Sequence, residues 1–261
     1  MNIVKKDHVV VVSNELLTQP MSFSLAERRL LAMALSSIKP SYNSYPSKEV
    51  QERFTVEQLK EIYWQQIVGD IVTSSSTFTI TVSNYASLFN LTSSNARAEL
   101  QDAVLRLYDR SIKVNTKKHL GFFRWVSSAI FDKEEGSASI KFTEEVLPYI
   151  YGLQRHFTQI RLKKIIELQS TYSWRLYELY RMKQTSNSRV SPSFSLVELY
   201  TLLDVPESRR EFRKFNERIL KKAVAELQDK NIVSIKVVPE KLGNKVIGVR
   251  FEQGLKVIKD V

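Results

Sequence analysis

The chain has 261 residues, 43% of them hydrophobic, with seven prolines, seven glycines and no cysteine. That length suits one large domain or two of ordinary size; no apolar run approaches the roughly 18 residues that span a bilayer, and without thiols or disulfides a cytoplasmic home is the simple expectation. The net charge of +11 favours a polyanionic partner, and it is uneven: residues 1–150 hold 17 Lys/Arg against 16 Asp/Glu, residues 151–261 hold 22 against 12.

In chain order, Val9 to Val12 is too short for a signal peptide and no small-residue cleavage site follows it. Ser24-Leu25-Ala26-Glu27 is a capping box, and Leu30, Leu31, Ala34, Leu35 and Ile38 carry a helix up to Lys39-Pro40. Residues 41–52 read as a polar surface loop and 55–67 as a helix.

The stretch from Thr81 to Val114 predicts a short helix, a turn and a long helix with an apolar stripe of Ala96, Leu100, Ala103 and Leu107. The opposite face offers Asn95, Ala98, Asp102 and Arg106, poor equipment for gripping phosphates. Strands are expected at Ile112 to Val114, Phe122 to Ile130 and Ser139 to Phe142, joined by Lys117-Lys118-His119 and by 132–136, and a short helix from Val146 to Tyr151 closes a first domain of residues 1–150. A second domain, 151–261, follows, with a helix over Tyr172 to Met182 and a Ser-rich, flexible-looking segment at 184–193. Trp174, Leu176, Tyr177 and Tyr180 read as core packing rather than a base-stacking platform.

From Ser195 to Ile235 the earlier pattern returns. Ser195 opens a short helix to about Leu203, Asp204-Val205-Pro206 is a turn, and Ser208-Arg209-Arg210-Glu211 reads as a capping box opening a long helix. Its apolar stripe is Phe212, Phe215, Ile219, Ala223 and Leu227; by the 100° rule Arg210, Lys214, Arg218 and Lys221 lie opposite. After Asn231 the period changes to two, giving a hairpin whose 239–244 loop carries Lys241, with Lys245 beside it.

Helix, turn, helix and hairpin make a winged helix-turn-helix. The fold class expected is therefore α+β: two tandem winged helix-turn-helix domains related by internal duplication. Leu88-Phe89-Asn90-Leu91 matches Leu202-Leu203-Asp204-Val205, and Ala103-Val104 matches Ala223-Val224, with six more residues between these anchors in the second copy. A helix fits a duplex major groove, and a basic outward face suits it; a solvated surface helix can carry the same charges.

Nothing suggests an enzyme, a metal or a cofactor. His8, His119 and His156 are scattered, no GxxxxGK[ST] loop exists, and Asp132, Glu134 and Glu135 lie in a loop of mixed charge.

From Ser13 to Phe251 the chain resembles the initiator (Rep) proteins of theta-replicating bacterial plasmids, whose origins carry direct repeats called iterons. The most specific part is Tyr149-Ile150-Tyr151-Gly152-Leu153-Gln154-Arg155-His156-Phe157-Thr158-Gln159-Ile160-Arg161-Leu162, followed by Tyr172-Ser173-Trp174-Arg175-Leu176-Tyr177-Glu178. The resemblance implies binding to iterons as a monomer, opening of adjacent AT-rich DNA and recruitment of host initiator and helicase machinery. It also implies, for many members, repression of their own gene by a dimer at an operator.

It further implies that the C-terminal domain is the principal reader and the N-terminal one serves dimerisation and auxiliary contacts. Arg209, Arg213 and Lys214 then fall at the start of the reading helix, and Arg155, Arg161, Lys163 and Lys164 near phosphates. Asn95 and Arg97 are the auxiliary contacts, on a helix with little basic charge. A sequence-specific regulator without an initiation role would share every residue feature above.

Overall fold

The computed structural model describes residues 3–38, 77–115, 120–150, 157–184 and 191–254. The expected helix at 55–67, His119, Arg155 and His156 lie outside them. Contacts divide the chain into two units: unit 1 comprises 1–16 and 26–162, unit 2 comprises 17–25 and 163–261. The division falls after Leu162 rather than at residue 150. The reason is a two-stranded antiparallel sheet in which β1 (Val9–Ser13) pairs with β7 (Phe157–Arg161), Val9 opposite Arg161.

Unit 1 is built from α2 (Leu25–Ser36), β2 (Thr77–Thr81), α3 (Val82–Phe89), α4 (Ser93–Asp109) and a wing of β5 (Val126–Asp132) and β6 (Ser137–Phe142). A second hairpin, β3 (Ser111–Asn115) with β4 (Leu120–Arg124), intervenes between α4 and the wing. The single strand expected from Phe122 to Ile130 is thus broken at Trp125, which is buried, its N–H donating to the Arg110 carbonyl. The short α5 (Leu147–Ile150) follows. α1 (Asn14–Leu17) lies where the chain passes between units.

Local chemistry explains these ends. Thr81 and Thr92 cap α3 and α4, their hydroxyls accepting from the N–H groups of Asn84 and Asn95. Asn90 ends α3 in the left-handed region (φ 53), which asparagine tolerates. Asp132 accepts from the N–H groups of Glu134 and Glu135, and Gly136 (φ 62) completes the wing turn. The α4 stripe of Ala96, Leu100, Ala103 and Leu107 is fully buried, as its spacing predicts.

Its core also holds charges. Arg29 is 1% exposed and forks onto Glu99, which accepts the Tyr85 hydroxyl as well. Burial first, then the Glu99 charge, holds the Tyr85 hydroxyl well above its usual pKa. Glu27, expected as a cap, is wholly buried and takes a bidentate pair from Arg110.

Unit 2 repeats the order: α6 (Thr171–Lys183), β8 (Ser193–Ser195), α7 (Leu196–Leu202), a long helix, and a wing of β9 (Ile235–Leu242) and β10 (Lys245–Gln253). The sheet orders correspond, β2-β6-β5 in unit 1 and β8-β10-β9 in unit 2. Two winged-helix domains of mixed α and β structure are therefore present. Trp174, Leu176, Tyr177 and Tyr180 are buried in the unit 2 core. Arg175 is buried with them; its guanidinium donates to the carbonyls of Leu17, Gln19 and Leu202 and pairs with Glu178. Burial pulls the Arg175 pKa down and Glu178 opposes it.

Candidate nucleic-acid interface

The long helix of unit 2 has three consecutive parts: α8 (Phe212–Phe215), a π-helical turn (Asn216–Leu220) and α9 (Lys221–Asp229). It does not begin at Ser208. Residues Glu207–Arg209 form a 3-10 turn after Pro206, with Arg209 N–H donating to Pro206 O and Arg210 N–H to Glu207 O. Proline cannot donate and fixes its own φ, so the short turn wins over an early helix start. Glu211 stands at the N-cap without a side-chain cap bond. Arg209 and Arg210 are thus exposed on the lead-in turn, and Arg210 Nε donates to the Val205 carbonyl.

Phe215, Ile219, Leu220, Ala223, Val224 and Leu227 are buried, and Phe215 meets the Tyr200 ring edge-on with centroids 4.9 Å apart. Phe212 is only half-buried. On the outward side Lys214 pairs with Glu211 and Lys221 with Glu217, exposed pairs of the kind worth a few tenths of a kcal/mol. Arg213 and Arg218 are exposed and make no ion pair among the described residues. Lys222, exposed on α9, also faces outward and was not marked by the sequence.

The wing turn is shorter than expected, Gly243-Asn244 alone, with Gly243 at φ 59. β9 runs on through Pro239, which pairs with Val249; an edge strand tolerates the missing donor. Lys241 and Lys245 flank the turn, exposed. Gly248 sits where a Cβ would come within 2.9 Å of the Phe194 carbonyl, beside a register shift between Val246 and Gly248.

The remaining sites separate. Arg161 is exposed on β7 of unit 1. Lys163 is exposed and Lys164 half-buried in a 3-10 turn, Leu162–Lys164, and Lys164 Nζ donates to the Asn231 carbonyl just past α9. In unit 1, Asn95 is exposed in the first turn of α4, but Arg97 is half-buried, donates to the Lys133 carbonyl and lies over Phe131. Arg106 is held by Asp102. The outer face of α4 instead shows Leu105 and Tyr108. Among the described residues no three His, Cys, Asp or Glu could hold a metal ion, and no helix is long and apolar enough to cross a membrane.

A winged helix with an outward row of basic side chains belongs to the helix-turn-helix class of nucleic-acid-binding folds. Two family models match, "Initiator Replication protein, WH1" over residues 64–181 and "Initiator Rep protein, WH2" over 195–252, together more than half of the chain. The chain belongs to this family of replication initiator (Rep) proteins.

A replication initiation protein of Escherichia coli is 28% identical over 180 residues, 67% of this chain and 55% of that protein. The PI protein of Escherichia coli is 32% identical over 149 residues, 51% and 48%. The chain thus spans about half the length of these curated relatives. The crystal structure of the Pi initiator protein in complex with iteron DNA shares the fold at TM-score 0.71 and 22% identity, covering 95% of this chain and 97% of that one.

Proposed function

We propose that this chain is a plasmid replication initiator: it binds iteron repeats through unit 2, promotes opening of adjacent AT-rich DNA and recruits the host initiator and helicase machinery. As a dimer it represses its own gene. Unit 1 provides the dimer contact and auxiliary DNA contacts, and the two winged helices arose by duplication. The matching left-handed residues Asn90 and Asp204, each followed by an N–H that bonds five residues back (Leu91 to Ala86, Val205 to Tyr200), support the last point.

The observation that carries the reading is the outward row on the unit 2 helix, where Arg213 and Arg218 are exposed without an acidic partner among the described residues. Arginine is the side chain that reads guanine in the major groove in bidentate fashion. Initiation needs no catalytic residue on this reading: monomers lined up on tandem repeats strain the duplex, and contact energy meets the deformation.

The test is selection of random duplexes by the purified protein at physiological salt. A compact consensus that recurs in tandem beside an AT-rich tract near the gene supports an initiator. A single copy over the promoter makes the protein a regulator instead, and no consensus overturns the assignment of unit 2 as reader.

A further inference from the structure

The two wings end differently. In unit 1 the tip between β5 and β6 exposes Asp132, Glu134 and Glu135, and Arg97 closes over the turn, where a Cβ on Gly136 would come within 2.8 Å of its guanidinium. In unit 2 the tip residues 241–245, Lys-Leu-Gly-Asn-Lys, are exposed without a break, and no acidic residue occurs from 241 to 251. A Cβ on Gly243 would meet no atom within 4 Å, so the turn stands clear of the unit. Glu240, the carboxylate next in sequence, is held back at the sheet, where it accepts the Ser193 hydroxyl at 2.8 Å.

Leu242 sits between the two lysines, pairs with Lys245 across the turn and is 73% exposed. The described residues of unit 2 expose three large hydrophobic side chains, Val197, Leu242 and Ile247, and two of them belong to this wing. Ile247 is the extra residue of the register shift and has no cross-strand partner. A single exposed leucine on a protein surface is ordinary. This one stands at the apex of a hairpin whose two-residue turn, with positive φ at Gly243 alone, follows the twist of its strands. Ile130 on the unit 1 wing is exposed too, but the carboxylates at that tip would repel a phosphate.

Reach follows from strand geometry. Val249, which pairs with Pro239, is the last fully buried side chain before the tip. From Pro239 to Leu242 the strand advances about 10 Å. The minor groove of a duplex is about 7.5 Å deep and about 6 Å wide, so a leucine on this arm can reach the groove floor while the lysines stay at the phosphates.

We propose that the tip of the unit 2 wing is a minor-groove binding site: Leu242 wedges into one base step and partly unstacks it, with Lys241 and Lys245 on the flanking phosphates. Apolar wedges of this kind kink the duplex toward the major groove. Pyrimidine–purine steps open most easily, so the wing reads deformability where the helix reads base edges. The inference rests on the reading of unit 2 as the DNA reader and gives that reader a second contact of a different kind.

The test uses the full chain and the consensus duplex from random selection, with 2-aminopurine placed in turn at each adenine of the site and its flanks. Unstacking brightens this base, so one step should brighten on binding. Leu242→Ser should abolish the brightening, reduce the bend read by energy transfer between the duplex ends, and lose about fivefold or more of the preference for pyrimidine–purine at that step. Leu242→Met, which keeps an apolar side chain, should retain all three, and the exposed position lets both variants fold.

No brightening at any step, or equal brightening and bend in Leu242→Ser, overturns the wedge while leaving the consensus and its reader in place. No consensus for the native chain removes the reader and the wedge together.

Discussion

Units 1 and 2 set one order of elements to different electrostatic ends. Both bury the inward stripe of a long helix against a helix and a wing, and both end the preceding helix on a left-handed Asn or Asp. Unit 1 ties these arginines into its own structure: Arg29 to Glu99, Arg110 to Glu27, Arg97 to the wing turn. Unit 2 leaves Arg213 and Arg218 exposed. The inward spacing decides the fold and the outward residues decide the partner, and the two can vary separately because they occupy opposite faces of one helix.

The contrast can be broken first from inside unit 1. Glu99→Ala leaves the buried Arg29 guanidinium without its carboxylate and should cost on the order of 3 kcal/mol, read by thermal unfolding, with the DNA consensus unchanged in the folded protein. Arg213→Ala should leave stability intact and cost about 1–3 kcal/mol against the selected site, blurring the consensus at the contacted base pairs. Lys163→Gln should weaken all duplexes alike and reduce the slope of log binding constant against log salt by about 0.9. Ser94→Arg, which gives α4 a charge where unit 2 has Arg213, should raise that slope by a similar amount. Asn95→Ala should change binding least, by less than the loss of Arg213, in the same competition assay.

The helices were legible because their stripes follow the 3.6-residue period, and so was the charge contrast. Strands were legible only where alternation was long. β2, Thr-Phe-Thr-Ile-Thr, does alternate, though over only five residues; β8 has three residues, and Val9 to Val12 is uniformly apolar and pairs with a strand about 150 residues away, so neither of these two carries an alternation of its own. Glu27 and Arg29 look like ordinary surface residues of an amphipathic helix until Arg110 and Glu99 come in from distant sequence.

Ser208 fits a capping box, but the 3-10 turn after Pro206 takes the chain another way. The π turn did leave a trace. The stripe Phe215, Ile219, Ala223, Leu227 steps by four, four and four, where unit 1 steps by four, three and four, and repeated fours outrun an α-helix. An unbroken 100° period leaves Lys222 off the outward row, and the apparent Ser208 cap sets Arg210 on a helix that it in fact precedes.

The path of the chain has a consequence for synthesis and for dissection. Residues 17–25 belong to unit 2 although they are made first, and Leu17 and Gln19 supply carbonyls to Arg175, which is made some 150 residues later. β1 likewise waits for β7. Neither unit can finish folding on the ribosome before most of the chain has emerged. A fragment cut at residue 163 would keep the basic helix and wing but strand a buried guanidinium without two of its acceptors, so unit 2 is not a portable module: it carries a fastening that only residues 17–25 of the same chain can close.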